Sequence, residues 1–174
     1  MATLTLSLLR HAKSSWDDPA TDDFDRPLGE RGRRDAPRMG AFMAAQGLVP
    51  DRVLCSPARR TRETLALVLP SLGPPPPAVE HARDLYLATG ETLLGRLRSG
   101  NARDSHVLLL AHDPGLQDLA LALAGAGPRE ALAALARKFP TAALAVIDLD
   151  AADWRSIGPR TGRLRLFMTP KRLG

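Results

Sequence analysis

Lysine, cysteine and aromatic residues are scarce in this chain of 174 residues. Cys55 is the only cysteine, so no intramolecular disulfide can form and no thiolate cluster can hold zinc; a reducing, cytoplasmic setting is expected. Aromatics make up only 4%, and no zinc-finger, homeodomain or RNP pattern appears. The net charge of +5 and pI near 10.3 therefore do not point to nucleic acid. Arginines are scattered through nearly every segment and far outnumber the lysines (Lys13, Lys138 and Lys171); a coding bias that also enriches alanine accounts for both. Long apolar runs are missing as well. Stretches such as VLLLA (107–111) fall far short of the roughly 20 residues a membrane-spanning helix needs, so no membrane partner is expected. The N-terminal stretch lacks a basic leader and a small-residue cleavage site, and reads as mature sequence.

What is present fits one globular domain over residues 1–174, with a hydrophobic share of 44% to fill its core. TLTLSLL (3–9), RVLCS (52–56), SHVLLLA (105–111), ALAVIDL (143–149) and GRLRLFM (162–168) read as strands. Helical spacing covers 30–47, 58–69, 91–99, 115–125 and 128–137, with Gly47 as a C-terminal cap and Pro37 predicting a kink or a late start in the first helix. Residues 12–28 read as a surface loop, GPPPP (73–77) as a connector, and the residues near Val79 as a short extended piece. Strands alternating with helices predict a three-layer α/β fold: an open, mostly parallel sheet with helices on both faces.

In such sheets ligands bind beyond the carboxyl ends of the strands. Three polar clusters follow predicted strands directly: Arg10 and His11, then SPARRTRET (56–64), then AHDPGL (111–116). A parallel sheet brings all three to one edge, where two histidines and several arginines supply what metal-free phosphoryl transfer requires. The guanidinium fork matches phosphate oxygens, and a neutral imidazole can attack phosphorus and carry the phosphoryl group. His112 with Asp113 could be taken for a metal-binding pair, but neither His81 nor His106 falls at ligand spacing. GAGPRE (125–130) follows a helix, lacks a third glycine and reads as a turn rather than a dinucleotide loop.

LLRHAKSSW resembles the RHG-type signature of the histidine phosphatase superfamily, SPARRTRET its S-P-x-x-R-x-x-x-T element, and AHDPGL its second-histidine element. DRPLGERGRRDA, FPTAAL and GRLRLFMTPKRL are most similar to the short SixA-like phosphohistidine phosphatase branch, and the resemblance runs from Leu6 to Leu173. It implies a phosphoglycerate-mutase-like fold, no metal or other cofactor, and a phosphatase acting on phosphohistidine of a protein such as a phosphotransfer domain. Small phosphorylated molecules as substrates, or a non-catalytic phosphate-binding module, stand as alternatives.

Carried over position by position, the resemblance makes His11 the phosphorylated nucleophile and places Arg10, Arg60 and a protonated His112 around the phosphate. Arg60 is preferred to Arg59 because it lies four residues after Ser56 and four before Thr64. Arg26, in DFDRPL, is a further substrate contact. The chain departs from the superfamily pattern at Ala12, Ala111 and Asp113; Asp113 is expected to turn away and cap the next helix, with Pro114 at its first position. Asp17, where mutase-like relatives carry Asn, argues against a mutase. The stretch that holds a general acid in larger relatives offers Glu80, Asp84 and Glu91 without a clear match, which leaves Asp23 as the substitute acid and substrate contact. A missing acid favours a phosphoramidate, whose P–N bond is labile, over a phosphomonoester.

Overall fold

The computed structural model describes residues 3–174. Among them, seven strands form one sheet: β1 (Thr3–Arg10), β2 (Arg52–Cys55), β3 (Ala78–His81), β4 (His106–Ala111), β5 (Ala124–Ala126), β6 (Leu144–Asp150) and β7 (Gly162–Met168), in the order β3-β2-β4-β1-β6-β7-β5. The helices are α1 (Glu30–Ala45), α2 (Arg59–Leu72), α3 (Gly90–Arg98), α4 (Gly115–Leu123) and α5 (Arg129–Arg137). Strands β3, β2, β4 and β1 run parallel, β6 is antiparallel to both β1 and β7, and β5 pairs parallel with β7. The sheet is thus mostly parallel, as expected, with β6 as the exception.

The period-2 geometry of the strands divides the core. Leu4, Leu6 and Leu8 of β1, with Val107 and Leu109 of β4 and Ile147 of β6, face the layer of α3, α4 and α5. Leu9, Leu108, Leu110 and Val146 face the opposite layer, where Ala36, Met39 and Met43 of α1 meet Leu65, Val68 and Leu72 of α2. β1 and β4, apolar toward both layers, sit at the centre of the sheet, and their carboxyl ends hold the site.

Two prolines lie inside helices. α1 begins at Glu30 with no late start at Pro37, because the carbonyl freed by the missing N–H belongs to the exposed Arg33 while buried Ala36, Met39 and Met43 hold the inner face. Pro70 likewise fails to end α2, which continues to Leu72. Gly47, at φ +69°, follows α1 as expected. Gly32 is needed for contact: a Cβ there would lie 2.2 Å from the Lys13 carbonyl oxygen, so only glycine lets α1 approach the segment after His11. None of the described helices is long and apolar enough to cross a membrane.

Candidate active site

Strand register assembles the site. Arg10 pairs with Ala111 and Cys55 with Leu110, so the residues that follow, His11, Ser56 and His112, leave β1, β2 and β4 side by side. The His11 amide donates to the Ala111 carbonyl (3.3 Å) and the Ser56 amide to the Leu110 carbonyl (3.0 Å). The two histidine rings stand 5.4 Å apart, and both are buried, at 6% and 2% exposure.

Because β6 runs antiparallel to β1, the loop entering it closes the site from the far side. The Ala142 amide donates to the His11 carbonyl (2.9 Å), and Arg10 Nη1 donates to the Phe139 carbonyl (2.8 Å). On the near side the Ala12 amide donates to Thr64 Oγ1 (3.0 Å), tying the turn after His11 to the helix that carries Arg60. Ser56 and Thr64, which serve in the sequence only as markers of spacing, are working contacts. Phe139 is legible in the sequence only as part of a similar string.

The imidazoles have defined tautomers. His11 Nδ1 lies 2.8 Å from the Ala12 carbonyl oxygen; a carbonyl only accepts, so Nδ1 carries the proton and Nε2 keeps its lone pair. Burial pushes His11 down to about 4, with the charges of Arg60 and Arg10 acting against the pull of the Ala12 carbonyl. Burial and the Arg60 charge push His112 further, to about 3. Its Nδ1 accepts from Arg60 Nη2 (3.3 Å), which leaves Nε2–H to donate to Ser56 Oγ (2.7 Å). The free site therefore holds a neutral His112, its Nδ1 lone pair engaged by a guanidinium; the protonated form expected is that of the phosphate-bound site.

Arg60 is buried at the centre of these contacts. Besides His112, it donates from Nη1 to the Asp23 carbonyl (2.6 Å) and from Nη2 to Asp23 Oδ2 (3.1 Å). Arg59, by contrast, is exposed and pairs with Glu63 along the helix, 3.1 Å apart. Arg10 Nε is buried without a partner among the described residues, a donor that a bound oxyanion could satisfy. Arg26 is buried too, with its guanidinium 3.4 Å from the centre of the Trp16 ring; it helps hold the Asp23 carboxyl down, whereas the charges acting on the histidines are those of Arg10, Arg60 and Asp23.

Asp113 does turn into the following helix, accepting from the Gln117 amide (3.3 Å), but the N-cap is Pro114 and the helix begins at Gly115, one position later than expected. Glu80 and Asp84 are drawn to Arg96 instead of the site. Asp23 does reach the site, but as an acceptor: Arg60 and the Tyr86 hydroxyl both donate to its Oδ2. Burial works to raise its carboxyl, and these two partners outweigh that, so its proton is held below the usual carboxylate range. The substitute acid expected from the sequence is a carboxylate in place. Tyr86, the only tyrosine, is not legible as a site residue because nothing around it has a characteristic spacing. Among the described residues, no group of three or more His, Cys, Asp or Glu side chains is placed to hold a metal ion.

Two neutral histidines, the buried guanidinium of Arg60 and the half-buried one of Arg10 stand above the parallel strand ends of an α/β protein, a set of groups that could receive an oxyanion. Residues 6–93 match the model of the histidine phosphatase superfamily (branch 1). An uncharacterized protein of Mycobacterium tuberculosis is 34% identical over 165 residues, covering 94% of this chain and 100% of that protein. The SixA structure from Agrobacterium tumefaciens is 30% identical with a TM-score of 0.81, covering 98% and 99% of the two chains; the protein histidine phosphatase SixA complexed with tungstate is 26% identical with a TM-score of 0.78, covering 98% and 100%. The chain belongs to the histidine phosphatase superfamily, in its SixA-like branch.

Proposed function

We propose that this phosphatase removes the phosphoryl group from phosphohistidine on another protein, in two steps through phospho-His11. The observation that carries this reading is the His11 ring: neutral, with Nδ1–H anchored on the Ala12 carbonyl and the Nε2 lone pair free, beside the guanidinium charges of Arg10 and Arg60. Nε2 attacks phosphorus in line; the N–P bond forms as the bond to the leaving group breaks with its electron pair on the departing atom. Water then attacks phospho-His11, releasing inorganic phosphate and returning the imidazole. Arg10, Arg60 and, once it takes up a proton, His112 hold the non-bridging oxygens, the orphaned Arg10 Nε–H taking one of them, and Arg26 steadies the loop that carries Asp23.

Phosphohistidine is favoured as substrate because Glu80 and Asp84 are paired with Arg96 and Asp23 only accepts, an arrangement suited to a leaving group that brings its own proton. A protein carrier is supported by the likeness to the protein histidine phosphatase SixA.

The test is phosphate release, in excess EDTA, from a phosphotransfer domain carrying labelled phosphohistidine, with alkaline quenching to preserve any phosphoenzyme. Release together with transient label on the chain, both lost in His11→Ala, is expected. Turnover of aryl or small phosphate esters alone would replace this reading with a metabolite phosphatase. Binding without turnover of either substrate would leave a phosphate-recognition module.

A further inference from the structure

Asp23 stands at the rim of the site with its side chain 48% exposed, whereas His11 lies at the floor, only 6% exposed. Oδ2 is held by two donors, the Tyr86 hydroxyl and Arg60 Nη2, and the Asp23 backbone carbonyl is held by Arg60 Nη1. Oδ1 has no hydrogen-bond partner among the described residues. Tyr86 is fixed in turn: its ring packs edge-on against Phe24 (5.0 Å between centroids) and against His112 (5.4 Å). One carboxylate oxygen is thus immobilised by the phosphate-binding machinery while the other is free.

In-line displacement places the leaving group opposite the nucleophile. With His11 at the floor, the departing group points to the rim where Asp23 sits. We propose that Asp23, oriented by Tyr86 and Arg60, is the leaving-group recognition residue, its free Oδ1 accepting the ring N–H of a departing imidazole. This rests on the phosphohistidine reading and adds to it a residue pair that sets the choice of leaving group.

The chemistry balances without a general acid. A phosphoimidazole protonated on the nitrogen remote from phosphorus is a cationic ring, which a facing carboxylate favours through charge and hydrogen bond together. As the His11 Nε2–P bond forms, the substrate P–N bond breaks with its electron pair on the departing nitrogen. The ring leaves as neutral imidazole, its one proton still on the nitrogen facing Asp23. An aryl or alkyl phosphate offers no such N–H, and its departing oxygen gathers negative charge that the same carboxylate repels. Asp23 therefore selects N-phosphoryl over O-phosphoryl substrates.

The test compares kcat/KM for phosphoimidazole and for p-nitrophenyl phosphate in the wild type, Asp23→Asn and Tyr86→Phe. Asp23→Asn is expected to lower the phosphoimidazole value relative to the ester value about tenfold or more, the size of a lost charge-assisted hydrogen bond. Tyr86→Phe is expected to move the ratio the same way by less. Both substrates use the same phosphate pocket, so their ratio is insensitive to partial misfolding. Equal falls on both would show that Asp23 acts only through Arg60 and would overturn the proposal. A wild type that cleaves the ester and leaves phosphoimidazole untouched is a separate outcome: it removes the phosphohistidine reading itself, and this proposal with it.

Discussion

Thr64 Oγ1 accepts the Ala12 amide at 3.0 Å and donates to the Arg60 carbonyl at 2.7 Å, so one buried hydroxyl couples the turn after His11 to the helix that presents Arg60. Thr64→Val keeps the shape and orphans the buried Ala12 N–H. A loss of about 1–3 kcal/mol in chemical denaturation is expected. Thr64→Ser should recover most of it, and an unchanged midpoint in Thr64→Val would show that the hydroxyl carries no such role.

Gly32→Ala would place a methyl group 2.2 Å from the Lys13 carbonyl oxygen, two residues past His11. That contact is backbone and cannot be relieved by a side-chain rotation. Overpacking of this kind costs about 1–3 kcal/mol. The expected result is a lowered melting temperature together with reduced kcat, read by calorimetry and steady-state kinetics.

Arg60→Lys retains a positive charge but cannot reach the Asp23 carbonyl, the Asp23 carboxylate and His112 Nδ1 together, as the guanidinium fork does. A fall in kcat/KM of about 10²-fold is expected, with Arg59→Lys close to wild type. Similar losses in the two variants would mean that the family position has been assigned to the wrong arginine.

Oxyanion binding should take up a proton. His112 is pushed down to about 3 in the free site and is neutral at pH 7. A dianion beside it raises that value, so the proton-linked part of the affinity is fully present only below about 3, falls as pH rises between the free and the raised value, and is lost above the raised one. Calorimetry of tungstate binding in buffers of different ionisation enthalpy measures the uptake directly. His112→Asn should abolish it, and buffer-independent heats in the wild type would sink the idea.

The layer structure was legible because it rests on period: β1, β4 and the amphipathic helices declare themselves by the spacing of Leu, Val and Met. The clusters holding His11, Arg60 and His112 could be placed together because each directly follows a parallel strand. Strand direction is less readable. Nothing in LAVIDLD says that β6 runs against β1, so the Phe139 carbonyl on Arg10 and the Ala142 amide on His11 could not be foreseen. The short strand β5, three residues of Ala and Gly, carries no propensity signal and forms by pairing with β7. Pro37 misled for a related reason, and Pro70 is tolerated on the same ground: tertiary burial along one helix face outweighs a missing backbone donor whose partner carbonyl faces water.

That antiparallel pairing has a bearing on how the protein is made. His11 leaves the ribosome ahead of Phe139 and Ala142, which close its wall from more than a hundred residues behind it in translation. Until the sixth strand is synthesised and inserted beside the first, Arg10 has no carbonyl to hold it and His11 lacks one side of its pocket. A nascent or prematurely terminated chain that stops short of β6 therefore carries the signature residues without a finished site.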